Sequence, residues 1–431
     1  MRSESATTID LSLPRGIRDI EPEEYELHQR IRSAFDDVVR AYNFKSMEPA
    51  PLETLSVLRA KSGTQVDEQI YHFKDKAERD IGLRFDLTVG MTRYVTGKKG
   101  LRLPIKLASY GGVWRYDEPQ HARYRWFYQW DVEIFGDPSI DADAEVMDLS
   151  YNLFKRLGLT NVMLEIGDRR VVEEYIGRKL NVTSEAKLGE MMRALDKVTK
   201  KSEQDLVTEY EGMGISREDM QRLLAFGRTK GPPDEVLGKL GEDRLESIQG
   251  LAELRDSLKV RGIGNVEYNL SIVRGIDYYT GVVFEVVDGA RPDLGSLCGG
   301  GRYDVLPKIF GRPDLAATGA AGGVERIALS LSQAASRIQA SVFVAYTEPA
   351  LVNEAVAVLS SLRNAGVRSE LGSRGKGLSR QLEEAGSGGF SHAVIVGKKE
   401  LESGTLTVKD LNHRKEKKIA SVDLLLEFKP S

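Results

Sequence analysis

From Tyr124 onward the chain alternates between two unlike sets of side chains, and that pattern leaves it little choice of fold. Tyr124, Trp126, Tyr128, Trp130, Val132 and Ile134 fall on one face at period two, and Arg125, Phe127, Gln129, Asp131 and Glu133 fall on the other. This is the signature of a strand, with the first face predicted to be core. The second face is either solvated, as one side of an antiparallel hairpin commonly is, or the lining of a pocket. A preceding strand, predicted from Lys106 to Tyr116, has Arg115 at its end. Antiparallel pairing would carry that guanidinium toward Gln129 and Glu133, so that a cation, an amide and a carboxylate converge.

The surrounding sequence places this hairpin in an α+β architecture. Pro22 opens a helix with Ile31, Phe35, Val38 and Tyr42 at helical spacing, and Asp141 to Leu157 reads as another, with Ala144, Met147, Tyr151 and Phe154 on its stripe. Helices alternating with antiparallel strands argue against a doubly wound parallel sheet. Residues 171–261 change character, becoming charged, poor in aromatics and helical in period, with Gly231-Pro-Pro233 as an internal break. Strands are expected again at Leu270–Val273 and Gly281–Val287, and Gly319–Gly323 leads into a helix with Val324, Ile327, Ala328 and Leu331 on one side. The remainder follows a βαβαβ order: Ser341–Ala345, Val352–Ala365, Val367–Leu371, Leu378–Ala385, His392–Val396. A length of 431 residues suits two or three such domains.

Several functional classes recede on composition. No apolar run approaches the roughly 20 residues of a membrane span, and Met1–Asp10 has no apolar signal core, so the expected compartment is the cytoplasm. With Cys298 as the single cysteine, neither an intrachain disulfide nor a cysteine zinc cluster can form. The histidines His28, His72, His121, His392 and His413 show no i, i+4 pairing, and no metal site of the protein's own is expected. A net charge of −4 lacks the basic excess of a DNA-binding domain. From Gln339 onward, however, 13 Lys and Arg stand against 11 Asp and Glu, with clusters at Lys398-Lys399 and Arg414-Lys-Glu-Lys-Lys418. Such clusters are solvated faces or contacts for a phosphate backbone. Arg374-Gly-Lys-Gly-Leu-Ser379 lacks the spacing of a phosphate loop, and the glycines at 299–301 do not make a dinucleotide fingerprint.

Arg115 through Glu133 resembles motif 2 of the class II aminoacyl-tRNA synthetases, in the version found in histidyl-tRNA synthetases. The resemblance recurs in family order at Leu13-Pro-Arg-Gly-Ile-Arg-Asp19, Leu83-Arg-Phe-Asp-Leu-Thr88, Val273-Arg-Gly-Ile-Asp-Tyr-Tyr-Thr280, Gly299-Gly-Gly-Arg-Tyr-Asp304 and Gly319-Ala-Ala-Gly-Gly-Val-Glu-Arg326. It implies a class II antiparallel sheet with flanking helices over 1–170 and 262–337, a helical insertion at 171–261 thought to clamp the tRNA acceptor arm, and an α/β anticodon-binding domain at 338–431.

It also implies a site. Activation joins an amino-acid carboxylate to the α-phosphate of ATP, which arrives with Mg2+, and planar guanidinium groups suit two adjacent anions because they donate in pairs. By resemblance, Arg115 grips the α-phosphate and substrate carboxylate, Arg326 binds the γ-phosphate, and Arg274 meets the α-phosphate from the opposite side as an electrostatic catalyst. Taken alone, Arg115 and Arg326 read rather as surface or helix-end ion pairs, and Arg274 equally well as a structural pair with Asp277. For histidine, the matching positions are Glu133, Tyr278 and Tyr279 around the imidazole, with Arg274 beside them, and Asp86, Thr88 and Gln129 around the ammonium. Arg274 and Tyr279 differ in strand parity, so sharing a pocket requires a turn or bulge at Gly275. Asp86 on its own reads also as a strand-end carboxylate capped by Thr88 or Arg84. It stands where many bacterial members have Glu, while Ala122 replaces the usual motif 2 glycine and His121 a frequent lysine. Gln120 and Arg123 match acceptor-end contacts.

The expected activity is ligation of L-histidine to histidine tRNA by a homodimer, with partners histidine, ATP and that tRNA, and without DNA or membrane. The alternative is the synthetase-like regulatory subunit of ATP phosphoribosyltransferase. That paralogue typically lacks the C-terminal domain and degrades the Arg-Gly-Ile-Asp-Tyr-Tyr segment, both of which are intact here. A pseudo-synthetase tethered to a kinase would need a kinase domain, which this sequence does not contain.

Overall fold

A computed structural model describes residues 10–60, 68–118, 124–198, 201–273, 279–331 and 341–428. The chain divides into two compact units, residues 1–334 and 335–431. In the first, the helix Pro22–Ala41 starts on a proline at its first position with Glu23 and Glu24 in the first turn, and ends beside Arg40, so charge complements the dipole at both ends. Its Ile31, Phe35 and Val38 are buried as spaced, while Tyr42 is the residue that caps the end.

Among the described residues twelve strands follow in this unit: β1 (Lys45–Ser46), β2 (Leu52–Thr54), β3 (His72–Lys74), β4 (Asp80–Leu83), β5 (Ile105–Trp114), β6 (Trp126–Phe135), β7 (Val162–Asp168), β8 (Lys230–Gly231), β9 (Val266–Asn269), β10 (Val282–Asp288), β11 (Ser296–Arg302) and β12 (Ala317–Gly323). Nine of them form one sheet in the order β1-β5-β6-β12-β11-β10-β7-β9-β8, and β2-β4-β3 form a small second sheet. From β5 to β7 every neighbouring pair is antiparallel, and only the outlying β1–β5 and β7–β9 pairs are parallel. The α+β expectation therefore describes the unit.

The two faces of β6 have different fates. Trp130, Val132 and Ile134 enter the main core under the helices Pro22–Ala41 and Ile140–Arg156, with the Trp130 ring 5.8 Å from Phe35 and 6.3 Å from Phe154. Residues on the opposite face are buried too: Gln129, Asp131 and Glu133 are each less than 5% exposed. Of the two readings left open for that face, the lining of a pocket is the one realised.

Two strand expectations need correction. β9 ends at Asn269 rather than occupying Leu270–Val273, because the Asn269 side chain accepts from both the N–H and hydroxyl of Ser271 and turns the chain. The turn brings the Ile272 carbonyl over Gly167 of β7, where a Cβ would lie 2.1 Å from that oxygen. Conversely, the Ala- and Gly-rich run before Val324 is itself a central strand, β12, whose small residues make room for the large side chains of β6.

Between β7 and β9 lie six helices: Arg169–Lys179, Glu185–Asp196, Glu203–Glu211, Arg217–Gly227, Pro233–Glu242 and Ile248–Val260. Met191, Leu195, Tyr210, Leu223 and Leu251 from this region belong to the same continuous core as Trp130 and Phe154. The Gly231-Pro-Pro233 break ends in a proline at the first turn of the helix Pro233–Glu242.

The second unit carries β13 (Ser341–Tyr346), β14 (Arg368–Leu371), β15 (His392–Val396), β16 (Thr405–Asp410) and β17 (Lys415–Ala420), in the order β14-β13-β15-β16-β17. The first three pair in parallel around the helices Val352–Asn364 and Leu378–Ser387, as the βαβαβ order requires. The β16–β17 hairpin extends this sheet, and the basic cluster after Arg414 occupies its exposed edge strand.

Candidate active site

On the pocket side of the first sheet, a cleft of about 360 Å³ is lined by Asp86, Thr88, Arg115, Gln129, Glu133, Tyr279 and Arg326 together with glycines of β11 and β12. That volume lies within the roughly 300–1,000 Å³ of small-molecule sites. Seven of the residues singled out from sequence thus meet in one place. Gln120, Arg123, Arg274 and Tyr278 lie outside the described residues, as do Asp277, His121 and Ala122.

Strand register explains the convergence. β5 and β6 pair with Gly111 opposite Gln129 and Leu107 opposite Glu133, and Arg115 continues the ladder by donating its N–H to the Arg125 carbonyl. The Arg115 side chain then runs across the face of β6. Its Nε donates to the Phe85 carbonyl at 2.9 Å, an Nη donates to Gln129 Oε1 at 3.3 Å, and the guanidinium lies 5.1 Å from the centre of the Phe127 ring. These contacts hold an extended cation in a chosen direction, which a solvent-exposed arginine lacks.

The carboxylate wall is built from the start of a helix. Asp86 Oδ1 accepts from the Val89 N–H at 3.2 Å and so satisfies one open donor of the helix Thr88–Gly97. Of the two partners expected for Asp86 as a strand-end group, Arg84 points elsewhere, donating to the carbonyls of Gly112 and Pro49 and to Glu48. Thr88 donates instead to Asp131 Oδ2 at 2.9 Å. Asp131 also accepts from Gln129 Nε2 at 3.4 Å.

Glu133 is buried as well, 1% exposed. Its carboxylate accepts from the Tyr303 hydroxyl, and burial beside that charge pushes the phenol well above its ordinary range. The floor behind it is Gly319, which sits opposite Glu133 in the β12–β6 register. A Cβ there would lie 1.6 Å from Glu133 Oε2, so the glycine is what allows the carboxylate to lie flat against the sheet.

Arg326 enters from the helix Val324–Leu331 and donates to the Ser296 carbonyl at 2.6 Å. Its neighbour Glu325 takes over where β12 stops pairing: the carboxylate accepts from the Tyr128 N–H at 2.9 Å, completing the ladder of β6. Burial raises this carboxyl to about 7. The early Leu13–Asp19 segment crosses the beginning of β6, with the Gly16 and Arg15 carbonyls accepting from the Arg125 N–H and guanidinium. Arg18 pairs with Glu24 and stacks 4.0 Å over Tyr124.

Three participants escaped the sequence reading. Asp131 carried a usable signal, lying on the pocket face between Gln129 and Glu133. Tyr303 lies in the Gly299–Asp304 segment, but its approach to Glu133 depends on the β11–β12–β6 register. Glu325 was hidden beside the more conspicuous Arg326.

Chemically, the cleft combines guanidinium groups suited to phosphate and carboxylate oxygens with buried acceptors suited to ammonium and ring N–H donors. Comparison with known proteins gives the same direction. Residues 16–327 match the family model described as histidyl-tRNA synthetase, and residues 341–429 match that of the anticodon binding domain. The chain is similar to the histidine–tRNA ligase of Thermococcus kodakarensis, 34% identical over 418 residues, covering 94% of this chain and 95% of that one. Likeness to the Pyrobaculum islandicum histidine–tRNA ligase is 33% over 414 residues, 94% of each. Among solved structures, the histidyl-tRNA synthetase from Nostoc superposes with a TM-score of 0.86 at 26% identity, covering 98% of this chain and 99% of that one. A protein from Bacillus halodurans described as an ATP phosphoribosyltransferase regulatory subunit/histidyl-tRNA synthetase gives 0.70 at 25% identity, covering 85% and 93%.

Proposed function

Since the chain belongs to the histidyl-tRNA synthetase family and so joins histidine to tRNA as a ligase, we propose how its cleft divides that work. Arg115 holds the α-phosphate of ATP and the histidine carboxylate side by side, and Arg326 holds the γ-phosphate, each from a side chain already aimed by backbone acceptors. Mg2+ enters with ATP. Glu133 and Tyr279, with Tyr278 nearby in sequence, bracket the imidazole: a carboxylate has about four lone-pair sites, so Glu133 accepts from a ring N–H while keeping Tyr303. Asp86, Thr88 and Gln129 receive the α-ammonium. Arg274 acts on the charge that develops at phosphorus, and Gln120 and Arg123 meet the acceptor end.

The observation that carries this reading is one cleft lined both by a buried carboxylate, Glu133, and by two guanidinium groups aimed by backbone acceptors. A site that hydrogen-bonds a substrate group rejects analogues lacking it by roughly 10⁴-fold or more. ATP–pyrophosphate exchange measured with each of the twenty amino acids is therefore expected to run with histidine alone, and equal exchange with glutamine or phenylalanine would refute the assignment.

The rest of the chain is assigned within the same frame. Residues 1–170 and 262–337 form the adenylating body, 171–261 contact the acceptor arm, and 338–431 read the anticodon. The enzyme works as a homodimer in the cytoplasm, without DNA. Among the described residues no helix is long and apolar enough to cross a membrane. Matches that span both ends of the chain favour the ligase over a regulatory subunit lacking a C-terminal domain.

A further inference from the structure

Asp131 lies between the groups assigned to the ammonium and touches two of them. It is 0% exposed, and its Oδ2 accepts from Thr88 Oγ at 2.9 Å and from Gln129 Nε2 at 3.4 Å. On the far side of the amide, Arg115 donates to Gln129 Oε1 at 3.3 Å. A guanidinium only donates and a carboxylate only accepts, so one orientation of the Gln129 amide satisfies both neighbours. The Thr88 hydroxyl has a single hydrogen, and it is committed to Asp131.

Both groups are therefore fixed in polarity. Toward the cleft Thr88 offers only oxygen lone pairs, and Gln129 offers the second lone pair of Oε1, beside the Asp86 carboxylate in the same wall. An alkylammonium is the matching partner, having three donors and no acceptor. Behind this wall sits a buried carboxylate charge in a medium where electrostatic interactions are stronger than in water.

We propose that Asp131 is a positioning residue that sets the Thr88 hydroxyl and the Gln129 amide as acceptors, and thereby selects the α-ammonium of the amino-acid substrate. The proposal rests on the histidine site described above. Without the carboxylate, the hydroxyl is free to turn its hydrogen toward the ammonium, and the amide keeps Arg115 alone to fix its orientation. Asp131 makes this selection without contacting the substrate.

Two fragments of histidine separate this role from a structural one. Histidinol keeps the imidazole and ammonium but has no carboxylate, whereas imidazolepropionate keeps the imidazole and carboxylate but has no ammonium. Each is measured as an inhibitor competing with histidine in pyrophosphate exchange, on the unsubstituted chain and on Asp131→Leu, which leaves no acceptor for Thr88 or Gln129. Hydrogen bonds to charged groups are worth enough to shift affinity by about tenfold or more. Histidinol inhibition by the variant should weaken by about that factor, while imidazolepropionate inhibition and the KM for ATP stay within about twofold. Equal weakening of both inhibitors, or no change in either, overturns the proposal. If histidinol does not compete with histidine even on the unsubstituted chain, the ammonium site itself is misplaced. Should Asp131→Leu fail to fold, Asp131→Ala decides by the same pair of inhibition constants, because it too leaves Thr88 and Gln129 without their shared acceptor.

Discussion

Replacing Gly319 by alanine tests the floor of the cleft directly. The added methyl would lie 1.6 Å from Glu133 Oε2, 2.3 Å from its Cδ and 2.6 Å from the Val132 carbonyl oxygen. The first two contacts are relieved only if the carboxylate swings away, which breaks its bond with Tyr303, a charge-assisted bond in a buried site worth about 1.5–3 kcal/mol. The third is with backbone in the β6–β12 ladder and is relieved only by displacing a strand, for which overpacking strain of about 1–3 kcal/mol applies. These losses share atoms and do not simply add, so about 3 kcal/mol or more of destabilisation is expected, together with a rise in the KM for histidine of tenfold or more. Gly323, on the same strand, has open space where a methyl would be added, with no atom within 4 Å, and serves as the internal control for stability, though not for activity because it too lines the cleft. Urea unfolding followed by tryptophan fluorescence, with pyrophosphate exchange on the same samples, measures both effects. A Gly319→Ala protein within about 0.5 kcal/mol of the parent and with an unchanged KM would show that the glycine is not what seats Glu133.

Other consequences are open to measurement. Burial raises Glu325 from 4.5 to about 7, so between those values the folded chain binds more protons than the unfolded one and stability falls as pH rises, by up to about 3 kcal/mol across the window. Glu325→Gln, which keeps an acceptor for the Tyr128 N–H, should flatten that slope in unfolding midpoints measured from pH 4.5 to 7.5; parallel pH profiles would contradict it. Arg274→Lys keeps the charge but loses the planar fork, and single-turnover adenylation should slow by about 10²-fold with little change in histidine binding; a normal rate removes Arg274 from the chemistry. A chain ending near Arg337 should retain pyrophosphate exchange yet charge tRNA far less well, since the Lys and Arg of the tail no longer contribute to RNA affinity. Subunit mass must be followed alongside, and undiminished charging by a truncated dimer would deny the tail a role in RNA binding.

The parts of this fold that were legible in the sequence are those where chemistry repeats at a fixed period. β6 announced itself because aromatic and polar side chains alternate along it, and the same alternation placed Gln129, Asp131 and Glu133 on one face with Arg115 across the hairpin. β12 stayed hidden because a strand made of Ala, Thr and Gly has neither β-branched bulk nor alternation to betray it. Its composition is set by Glu133 and Trp130 on the neighbouring strand, a constraint that exists only in three dimensions. The partnership of Tyr303 with Glu133 spans 170 positions and needs the β11–β12–β6 order. At Asn269 the local chemistry was readable but outweighed by the apolar run that follows it, and an Asx turn ended the strand early.

The place of β12 between β6 and β11 also sets a schedule for making the protein. β6 finishes at Phe135 and β12 begins at Ala317, about 180 residues later, with the six-helix region synthesised in between. At about 5–20 residues per second, ribosomes need roughly 10–40 s to cover that distance. Throughout that interval one edge of β6 has no strand to pair with, and the pocket-facing acids Asp131 and Glu133 have neither Gly319 beneath them nor Tyr303 beside them. An unpaired strand edge is a template for adventitious pairing. The nascent chain is thus most exposed to misassociation while the stretch between β6 and β12 is being translated, and a slower decoding rate there would lengthen the risk without altering a single residue of the finished enzyme.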